Sequence, residues 1–285
     1  MDSAADRDLA IRFDGQVAVI TGAGRGLGAA YARLLADRGA AVVVHDAGVA
    51  ADGSGADPAV AEDVVRQITG HGGTAVACDE NLESPAACRR VIELAVERFQ
   101  RVDVLVHNAG LVVFSPMEQM EPATWERMVN VGIHAPFHLV HAVLPHMRRQ
   151  RYGRIVVTTS GRALRVEDAA PGLVAYAMGK MAQLGLMVGL APETADDDIR
   201  INAICPVAAT RVLRRHAPEL RPEHVAPAVA FLASSRCNFS GVVVRAAGGR
   251  FSTAYWSAGP EVDCGPVPVE PEVIAQRWTE IADRR

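Results

Sequence analysis

The chain has 285 residues, 49% of them hydrophobic, and its 29 basic and 33 acidic side chains give a formal net charge of −4. This length and apolarity suit one globular domain with a sizeable core better than two full domains. Because neither charge sign forms a long block, the composition argues against nucleic acid or an anionic membrane as a partner.

The first residues, MDSAADRDLAIRF, lack the basic start and apolar run of a secretory signal. We find no apolar stretch that approaches the roughly 18 residues needed to span a bilayer. The cysteines are odd in number, widely spaced and without a C-x-x-C pair, which favours reduced packing thiols over zinc or redox sites. They are Cys78, Cys88, Cys205, Cys237 and Cys264. We therefore expect a soluble cytoplasmic protein.

Short runs rich in β-branched residues alternate along the chain with stretches of helical periodicity. The predicted strands are Val17–Thr21, Ala41–His45, Thr74–Cys78, Val102–His107, Arg154–Thr159, Ile199–Ile204 and Val242–Arg245. The predicted helices are Leu27–Arg38, Ala61–Thr69, Pro85–Phe99, Thr124–Arg149, Val174–Thr194 and Pro222–Ala233. This alternation predicts an α/β fold: a doubly wound parallel sheet of the Rossmann type, with a ligand crevice at the carboxyl ends of its strands.

The end of the chain differs from the rest in composition. The stretch Gly259–Pro271 is rich in proline and glycine and predicts a tether to a last short helix, Pro271–Asp283. The predicted organisation is one main domain over 1–258 and a C-terminal extension over 259–285.

A glycine-rich turn, TGAGRGLG at 21–28, follows the first predicted strand and opens the first predicted helix. Glycines there let the backbone approach a pyrophosphate, and the helix amino end supplies free N–H donors and partial positive charge. The residues expected to hold a dinucleotide at this turn are Gly22, Arg25, Gly26, Leu27 and Gly28.

The second predicted strand is followed by Asp46, at the distance where a carboxylate can bind both hydroxyls of a ribose and repel a 2′-phosphate. Arg25 points the other way, because a guanidinium in the glycine turn can pair with a 2′-phosphate. No second basic residue follows Asp46, so we predict NAD rather than NADP. The alternative for Asp46 is a solvated strand end.

Further along, Tyr176 and Lys180 are four residues apart and so share one face of a helix. A nearby cation is expected to lower the pKa of the phenol toward the working pH, which makes it a usable general acid and base. Ser160 closes a predicted strand at the carboxyl edge of the sheet, where its hydroxyl can hold a substrate oxygen. These three residues are the candidate catalytic group, whereas an ordinary amphipathic helix is the alternative for the tyrosine and lysine alone.

At this point the chain resembles the short-chain dehydrogenase/reductase family over nearly its whole length. The matching segments are TGAGRGLG at 21–28, HNAG at 107–110, Ser160, YAMGK at 176–180 and NAICP at 202–206 with Thr210. The resemblance implies that Ser160 orients the substrate, Tyr176 passes a proton and Lys180 also holds the nicotinamide ribose. It further assigns cofactor contacts to Asp79, Asn108, Ala109, Gly110, Pro206 and Thr210.

Within that family the chain is most similar to the 3-hydroxyacyl-CoA dehydrogenase part of type 2 peroxisomal multifunctional enzymes. The likeness lies in VVVHDAG at 42–48, GGTAVACDENLES at 72–84, RYGRIVVTTS at 151–160, RPEHVAPAVAFLAS at 221–234 and PEVIAQRWTEI at 271–281. The terminal residues ADRR are not a peroxisomal address. The resemblance also implies a homodimer or homotetramer built through the long helices Thr124–Arg149 and Val174–Thr194.

The chain departs from the family pattern at His107, where an asparagine is common, and in two places near the expected catalytic residues. Counted from Trp125, the usual catalytic asparagine falls on Gly132, and Asn130 comes two residues earlier. Either the glycine leaves room for another water, or Asn130 arrives through a helix distortion. The spacing from Ser160 to Tyr176 is also longer than usual, and the loop Gly161–Gly172 that contains the extra residues is expected to border the substrate.

Three readings of function follow. The leading one is NAD-dependent oxidation of a 3-hydroxyacyl thioester or a similar bulky, lipid-like or steroid-like secondary alcohol. The first alternative is an NADPH-dependent ketoreductase, and the second, from another class, is a dinucleotide-binding sensor or scaffold without turnover. No metal is expected, because His138, His141 and His146 share a helix with no carboxylate or cysteine at ligand spacing.

Overall fold

The computed structural model describes residues 10–50, 53–209, 217 and 219–283. An eight-stranded sheet forms the centre of the fold, with strand order β3-β2-β1-β4-β5-β6-β7-β8. The pairs from β3 across to β7 are all parallel. The predicted doubly wound α/β fold is therefore confirmed, and the strand order reverses direction between β1 and β4.

The strands coincide closely with the predicted β-branched runs. They are β1 Val17–Thr21, β2 Ala41–His45, β3 Thr74–Cys78, β4 Val104–His107, β5 Gly153–Thr158, β6 Ile199–Val207, β7 Val243–Ala247 and β8 Arg250–Ala254. Strands β1, β4 and β5 are buried along their whole length, as expected for a parallel sheet covered on both faces. Strand β8 was not predicted, and it follows β7 after the turn at Gly248 and Gly249.

Helices connect the parallel strands. They are α1 Gly26–Asp37, α2 Ala59–Gly70, α3 Pro85–Phe99, α4 Pro122–Val129, α5 Ala135–Gln150, α6 Gly161–Leu164, α7 Val174–Glu193, α8 Ala226–Ala233, α9 Pro271–Gln276 and α10 Trp278–Ile281. Short 3₁₀ turns occur at Met117–Gln119, Val166–Asp168 and Pro222–His224. The four-residue helix α6, directly after Ser160, was not predicted, because it is too short to carry a hydrophobic period.

The long helix predicted over 124–149 is interrupted. A turn of π-helix, Asn130–His134, separates α4 from α5. At this turn the backbone of Gly132 lies against α7: a Cβ built on Gly132 would be 3.2 Å from the Cα of Gly179. The helix widens here, and two glycines allow it to approach its neighbour backbone to backbone.

Among the described residues, helix α7 is long and apolar enough to cross a membrane by length and composition alone. The expectation that no apolar stretch reaches this length is therefore wrong. Core helices of globular proteins pass the same test, and α7 packs against β5 and β6 with Lys180 and Gln183 buried. Contact with the sheet explains the apolar residues on the buried face of α7.

Main-chain contacts divide the chain into two units, the first ending at Thr253 and the second beginning at Ala254. The second unit contains α9 and α10, which are held to their own loop by Arg277. One Nη of this residue donates to the carbonyl of Asp263 at 2.6 Å, and the other donates to the Glu280 carboxylate at 2.7 Å. The candidate site lies in the first unit.

Candidate active site

A cavity of about 710 Å³ opens at the carboxyl ends of the strands, where the order of the sheet reverses. This is the edge at which ligands bind in doubly wound folds. The predicted residues that line it are Gly22, Arg25, Gly26, Leu27, Asp46, Asn108, Ala109, Gly110, Ser160, Tyr176, Lys180 and Pro206. Segments far apart in the chain are therefore brought to one cavity by the parallel register of the strands.

The glycine turn between β1 and α1 has the shape that a phosphate group requires. Gly22 has a φ of 63°, a left-handed conformation that costs glycine little. A Cβ on Gly28 would lie 2.1 Å from the carbonyl oxygen of Gly22, so no larger residue fits at that position. Helix α1 begins here without a side-chain cap, which leaves its first N–H groups free to bind a pyrophosphate.

Asp46 is buried at the end of β2, and both of its carboxylate oxygens accept backbone hydrogen bonds. Oδ2 accepts from the Gly24 N–H at 3.0 Å, and Oδ1 accepts from the Gly48 N–H at 2.9 Å. The alternative of a solvated strand end is therefore wrong. Each oxygen keeps a further lone pair, so the carboxylate that shapes the glycine turn can also accept from ribose hydroxyls.

Thr21, at the end of β1, ties the glycine turn to the segment after β4. Its Oγ1 accepts from the N–H groups of Asn108 and Ala109 at 3.1 and 3.2 Å. The Asn108 side chain in turn donates to the Gly22 carbonyl at 3.0 Å. These bonds fix the floor of the cavity without the help of any ligand.

His107 occupies the place where the family commonly has an asparagine, and it is fully buried. Its Nδ1 lies 3.0 Å from Thr21 Oγ1. Since that oxygen already accepts two N–H groups, its own proton points to Nδ1, and Nε2 carries the ring proton. Burial first, and the charge of Lys180 second, lower the pKa of His107 to about 3, so the ring is neutral at physiological pH.

Two hydrogen bonds hold α7 against β5 and aim its polar residues at the cavity. The Gln183 side-chain oxygen accepts from the Thr158 N–H at 3.0 Å, and Thr159 Oγ1 donates to the Lys180 carbonyl at 3.1 Å. With the helix fixed in this rotation, Tyr176 and Lys180 both line the cavity beside Ser160. The alternative of an ordinary amphipathic helix does not account for a buried lysine at this point.

The expectation that the pKa of Tyr176 is lowered is wrong in direction. Burial raises the pKa of Tyr176 above its usual value, and the contributions that lower it come from the Ser160 hydroxyl and from Arg162. Lys180 Nζ is 5.8 Å from the centre of the Tyr176 ring. Desolvation of the phenolate therefore outweighs the nearby positive charges, and the phenol is protonated at neutral pH.

Lys180 is the only lysine in the chain, and every other basic side chain is an arginine. Burial lowers the pKa of this ammonium to about 8. An arginine at this position would stay charged at any working pH. The presence of a single lysine in the sequence therefore pointed to Lys180 independently of its spacing from Tyr176.

Neither alternative for the missing asparagine matches the structure. The space beside Gly132 is filled by the backbone of Gly179, so a water does not fit on that side. The helix is distorted here, but the Asn130 side-chain oxygen lies 3.1 Å from His134 Nδ1, and Asn130 does not line the cavity. Gly132 acts instead as a packing residue between the π-helical turn and α7.

The part of the cavity beyond Tyr176 contains residues that were not predicted as site residues. Arg162, from α6, lies in the loop expected to border the substrate, whereas Arg245 was read only as a strand residue. Arg245 is the partner of Cys205 in the β6–β7 register. Burial raises the pKa of Cys205, and a hydrogen bond from Arg245 opposes this rise.

Of the other predicted cofactor residues, Asp79 falls elsewhere. Asp79 is exposed and does not line the cavity, where Asn81 and Leu82 take its place. It follows β3 directly, and the first residue after it that lines the cavity is Asn81. Thr210 lies outside the described residues, as do Arg211, Arg214 and Arg215. Among the residues that the structure describes, no three histidine, cysteine or acidic side chains come together as a metal site would require.

A family model described as short chain dehydrogenase matches residues 16–219. A short-chain type dehydrogenase/reductase of Mycobacterium tuberculosis is 36% identical over 275 residues, which cover 94% of each chain. The peroxisomal multifunctional enzyme type 2 of Drosophila melanogaster is 36% identical over 97% of this chain, which spans 46% of that enzyme. This chain is thus similar along its length to a free-standing relative and to one part of a longer enzyme.

Solved structures give the same picture. A short-chain dehydrogenase from Mycobacterium avium superposes with a TM-score of 0.83 at 31% identity, over 95% of both chains. A 7α-hydroxysteroid dehydrogenase complexed with NADH and 7-oxo glycochenodeoxycholic acid has a TM-score of 0.74 at 31% identity, over 84% of this chain and 95% of its own. A metagenomic short-chain oxidoreductase in complex with NADP has a TM-score of 0.69 at 31% identity, over 82% of this chain and 98% of its own. Relatives of this chain thus bind either nicotinamide cofactor.

Proposed function

The chain belongs to the short-chain dehydrogenase family of NAD(P)-binding oxidoreductases, and from that premise we propose that it interconverts a secondary alcohol and a ketone with NAD as its cofactor. The observation that carries this proposal is the convergence of Ser160, Tyr176 and Lys180 on the cavity that the glycine turn borders. Members of the family act on CH–OH groups, and our proposal specifies in addition the cofactor, the substrate class and the roles of these residues.

The preference for NAD rests on Asp46. Its carboxylate is held by two backbone N–H groups at the end of β2 and faces the cavity with lone pairs to spare. A 2′-phosphate placed there would meet a fixed negative charge in a partly desolvated site, which is repulsive. Ribose hydroxyls, by contrast, can donate to it.

Ser160, Tyr176 and Lys180 have distinct roles in the proposed reaction. Ser160 holds the substrate oxygen, and Tyr176 passes a proton between its own oxygen and that of the substrate. Lys180 keeps a positive charge beside them and binds the nicotinamide ribose. The bound cofactor supplies the hydride acceptor or donor.

Because burial keeps the Tyr176 phenol protonated at neutral pH, it is ready to donate a proton during ketone reduction. Alcohol oxidation requires the phenol to lose that proton first. We therefore expect the oxidation rate to rise with pH while the reduction rate does not.

For the substrate we propose a 3-hydroxyacyl thioester or another bulky, lipid-like or steroid-like alcohol. A cavity of about 710 Å³ has room for more than a small alcohol beside a cofactor. Similarity to a 3-oxoacyl-(acyl-carrier-protein) reductase of Thermotoga maritima and to the 7α-hydroxysteroid dehydrogenase supports this class.

A second candidate function is an NADP(H)-dependent ketoreductase, which Arg25 favours. This residue lines the cavity, and its guanidinium donates a hydrogen bond to the Val49 carbonyl at 3.3 Å. The weak, uncharged partner leaves the guanidinium able to pair with a 2′-phosphate.

We further propose a homodimer or homotetramer in the cytoplasm. Family members are commonly oligomeric, and α5 and α7 expose Phe137, Met178, Met181 and Val188, apolar side chains suited to association. All five cysteines are free thiols, which suits a reducing compartment. A monomeric mass in light scattering at micromolar concentration would contradict the association.

The decisive experiment is an absorbance assay at the nicotinamide band with NAD and NADP against hydroxyacyl-CoAs, hydroxysteroids and other secondary alcohols. We expect turnover with NAD and a loss of about 10²- to 10⁴-fold in kcat for Tyr176→Phe. Stronger activity with NADP(H) would favour the second candidate. Binding of NADH without turnover of any substrate, or full activity of Tyr176→Phe, would favour a protein that only binds the dinucleotide.

A further inference from the structure

We propose that the substrate carries an anionic group, a carboxylate or a phosphate, and that Arg162 and Arg245 bind it beside the reacting carbon. This inference rests on the proposed function, because it names the class of substrate for the same cavity. It concerns the wall of the cavity formed by the residues after β5 and by β7, which we call the arginine wall: Arg162, Asp168, Cys205 and Arg245.

The two arginines of this wall have no carboxylate partner among the residues that the structure describes. Neither takes part in any of the ion pairs found within 4.0 Å, although both side chains are partly buried. A partly desolvated charge without a counter-charge is costly. Its retention in a cavity is therefore explained most directly by a ligand of opposite charge.

Other groups in the wall do not neutralise these arginines. The Asp168 carboxylate is paired with Arg165 on the outer side of the same loop. Cys205 supplies no negative charge at neutral pH, because burial raises the pKa of its thiol. The arginine wall is therefore positively charged overall.

The acidic residues at the other end of the cavity are too far away to compensate. Asp46 follows β2, and the sheet order places β1, β4, β5 and β6 between β2 and β7. Five strand spacings amount to roughly 24 Å. This exceeds the screening length of about 8 Å at physiological ionic strength.

The position of the wall places the anion close to the chemistry. Arg162 is two residues after Ser160, whose Oγ accepts from the Arg162 N–H at 3.3 Å. Arg162 is also near enough to Tyr176 to lower the pKa of the phenol. Arg245 belongs to the same wall, where it lies beside its register partner Cys205 on β6. A substrate oxygen at Ser160 and Tyr176 thus shares its cavity with two guanidinium groups.

The test measures binding rather than turnover. Hexanoate, hexyl phosphate and the neutral hexanamide are titrated into NADH-saturated protein by calorimetry. A hydrogen bond to a charged group contributes about 1.5–3 kcal/mol, so we expect the preferred anion to bind at least about tenfold more tightly than hexanamide. The tighter of the two anions identifies the source of the charge as carboxylate or phosphate.

Matched variants locate the effect. Arg162→Gln and Arg245→Gln should each reduce the preference for the anion by about fivefold or more. Arg245→Lys keeps the charge and should retain most of the preference for the anion. This variant keeps the proposal testable if Arg245→Gln folds poorly. The control is Arg250→Gln, which removes an exposed charge from the adjacent strand β8.

Equal binding of hexanamide and both anions, no anion binding at about 10 mM, or an anion preference that survives both glutamine substitutions would each overturn the proposal. These outcomes would not contradict the proposed oxidoreductase activity, because that activity is tested separately by turnover of the cofactor and by the Tyr176→Phe variant. Once a substrate is known, the free acid should exceed its methyl ester in kcat/KM, and Arg245→Gln should remove that difference.

Discussion

The two ends of the cavity differ in how their polar groups are satisfied. At the cofactor end, Thr21, Asp46 and Asn108 are all hydrogen-bonded to backbone groups of the glycine turn or of the segment after β4. At the substrate end, Arg162 and Arg245 have no carboxylate partner among the described residues. Polar side chains that are hydrogen-bonded to the backbone keep the cofactor end rigid before any ligand binds. Arginines without a carboxylate partner indicate instead that a ligand supplies the negative charge.

The largest effect is expected when a side chain is added inside the glycine turn at the cofactor end. Gly28→Val places side-chain atoms where the Gly22 carbonyl already lies, since even a Cβ there would be 2.1 Å from that oxygen. We expect NADH affinity to fall by at least about 100-fold, which corresponds to about 2.7 kcal/mol. Fluorescence titration with NADH measures this loss.

The control for that variant is Gly185→Ala on α7, where an added Cβ has no neighbour within 4 Å. Circular dichroism melting separates loss of binding from loss of folding. Unchanged NADH affinity in a folded Gly28→Val protein would mean that the turn does not hold the cofactor.

Lys180 joins the two ends, and its replacement should separate activity from stability. In Lys180→Met we expect kcat to fall by about 10²-fold or more, because the charge beside the phenol is lost. The fold should nevertheless become more stable at neutral pH, since burial of this charge is unfavourable, as the lowered pKa of about 8 indicates. Thermal melting of both proteins checks this.

The pH dependence of that difference has a definite sign. Between pH 8 and the usual lysine pKa of 10.5, Lys180 is protonated in the unfolded chain but neutral in the folded one, so stability of the wild type rises with pH there. The advantage of Lys180→Met should therefore be full below pH 8 and shrink as the pH rises to 10.5. Because the chain has one lysine, NMR of lysine-labelled protein measures this pKa directly; a value near 10.5 would refute the burial argument.

Asp46 tests the specificity of the cofactor end with a smaller effect. Asp46→Ser removes the negative charge, so we expect the ratio of NAD to NADP in kcat/KM to fall by about tenfold, or about 1.4 kcal/mol. Asp37→Ser, an exposed acid at the end of α1, is the control. A ratio that does not move would assign the preference to another residue.

The smallest effect is expected at the rim of the substrate end. Arg165→Gln leaves the Asp168 carboxylate without its ion-pair partner, and that free charge then competes with the ligand for the arginine wall. We expect hexanoate or hexyl phosphate to bind roughly threefold more weakly at low salt, with the difference disappearing at high salt. Stability should change by less than about 1 kcal/mol, because the pair is exposed. Tighter anion binding in this variant would contradict the charge balance of the wall.

Much of the fold was predictable because it depends on short stretches of sequence. Val17–Thr21, Ala41–His45 and Thr74–Cys78 begin and end where their β-branched runs do. Strand β4 starts two residues later than predicted, at Val104, and the preceding Asp103 accepts the Val17 N–H with its side chain at 2.8 Å. A helix distortion near Asn130 was only one of two alternatives, and the π-helical turn at Asn130–His134 was not specified, because the contact of Gly132 with Gly179 joins two helices far apart in the chain.

By itself, the sequence determined the alternation of strands and helices, the glycine turn, and the placing of Tyr176 and Lys180 on one helical face. Each follows from the conformation or the spacing of neighbouring residues. Only the tertiary structure decided that Arg245 and Arg162 line the same cavity, that Asp79 stays outside it, and that burial raises the pKa of Tyr176. Distances between remote segments and the loss of water around a charge exist only once the chain is packed.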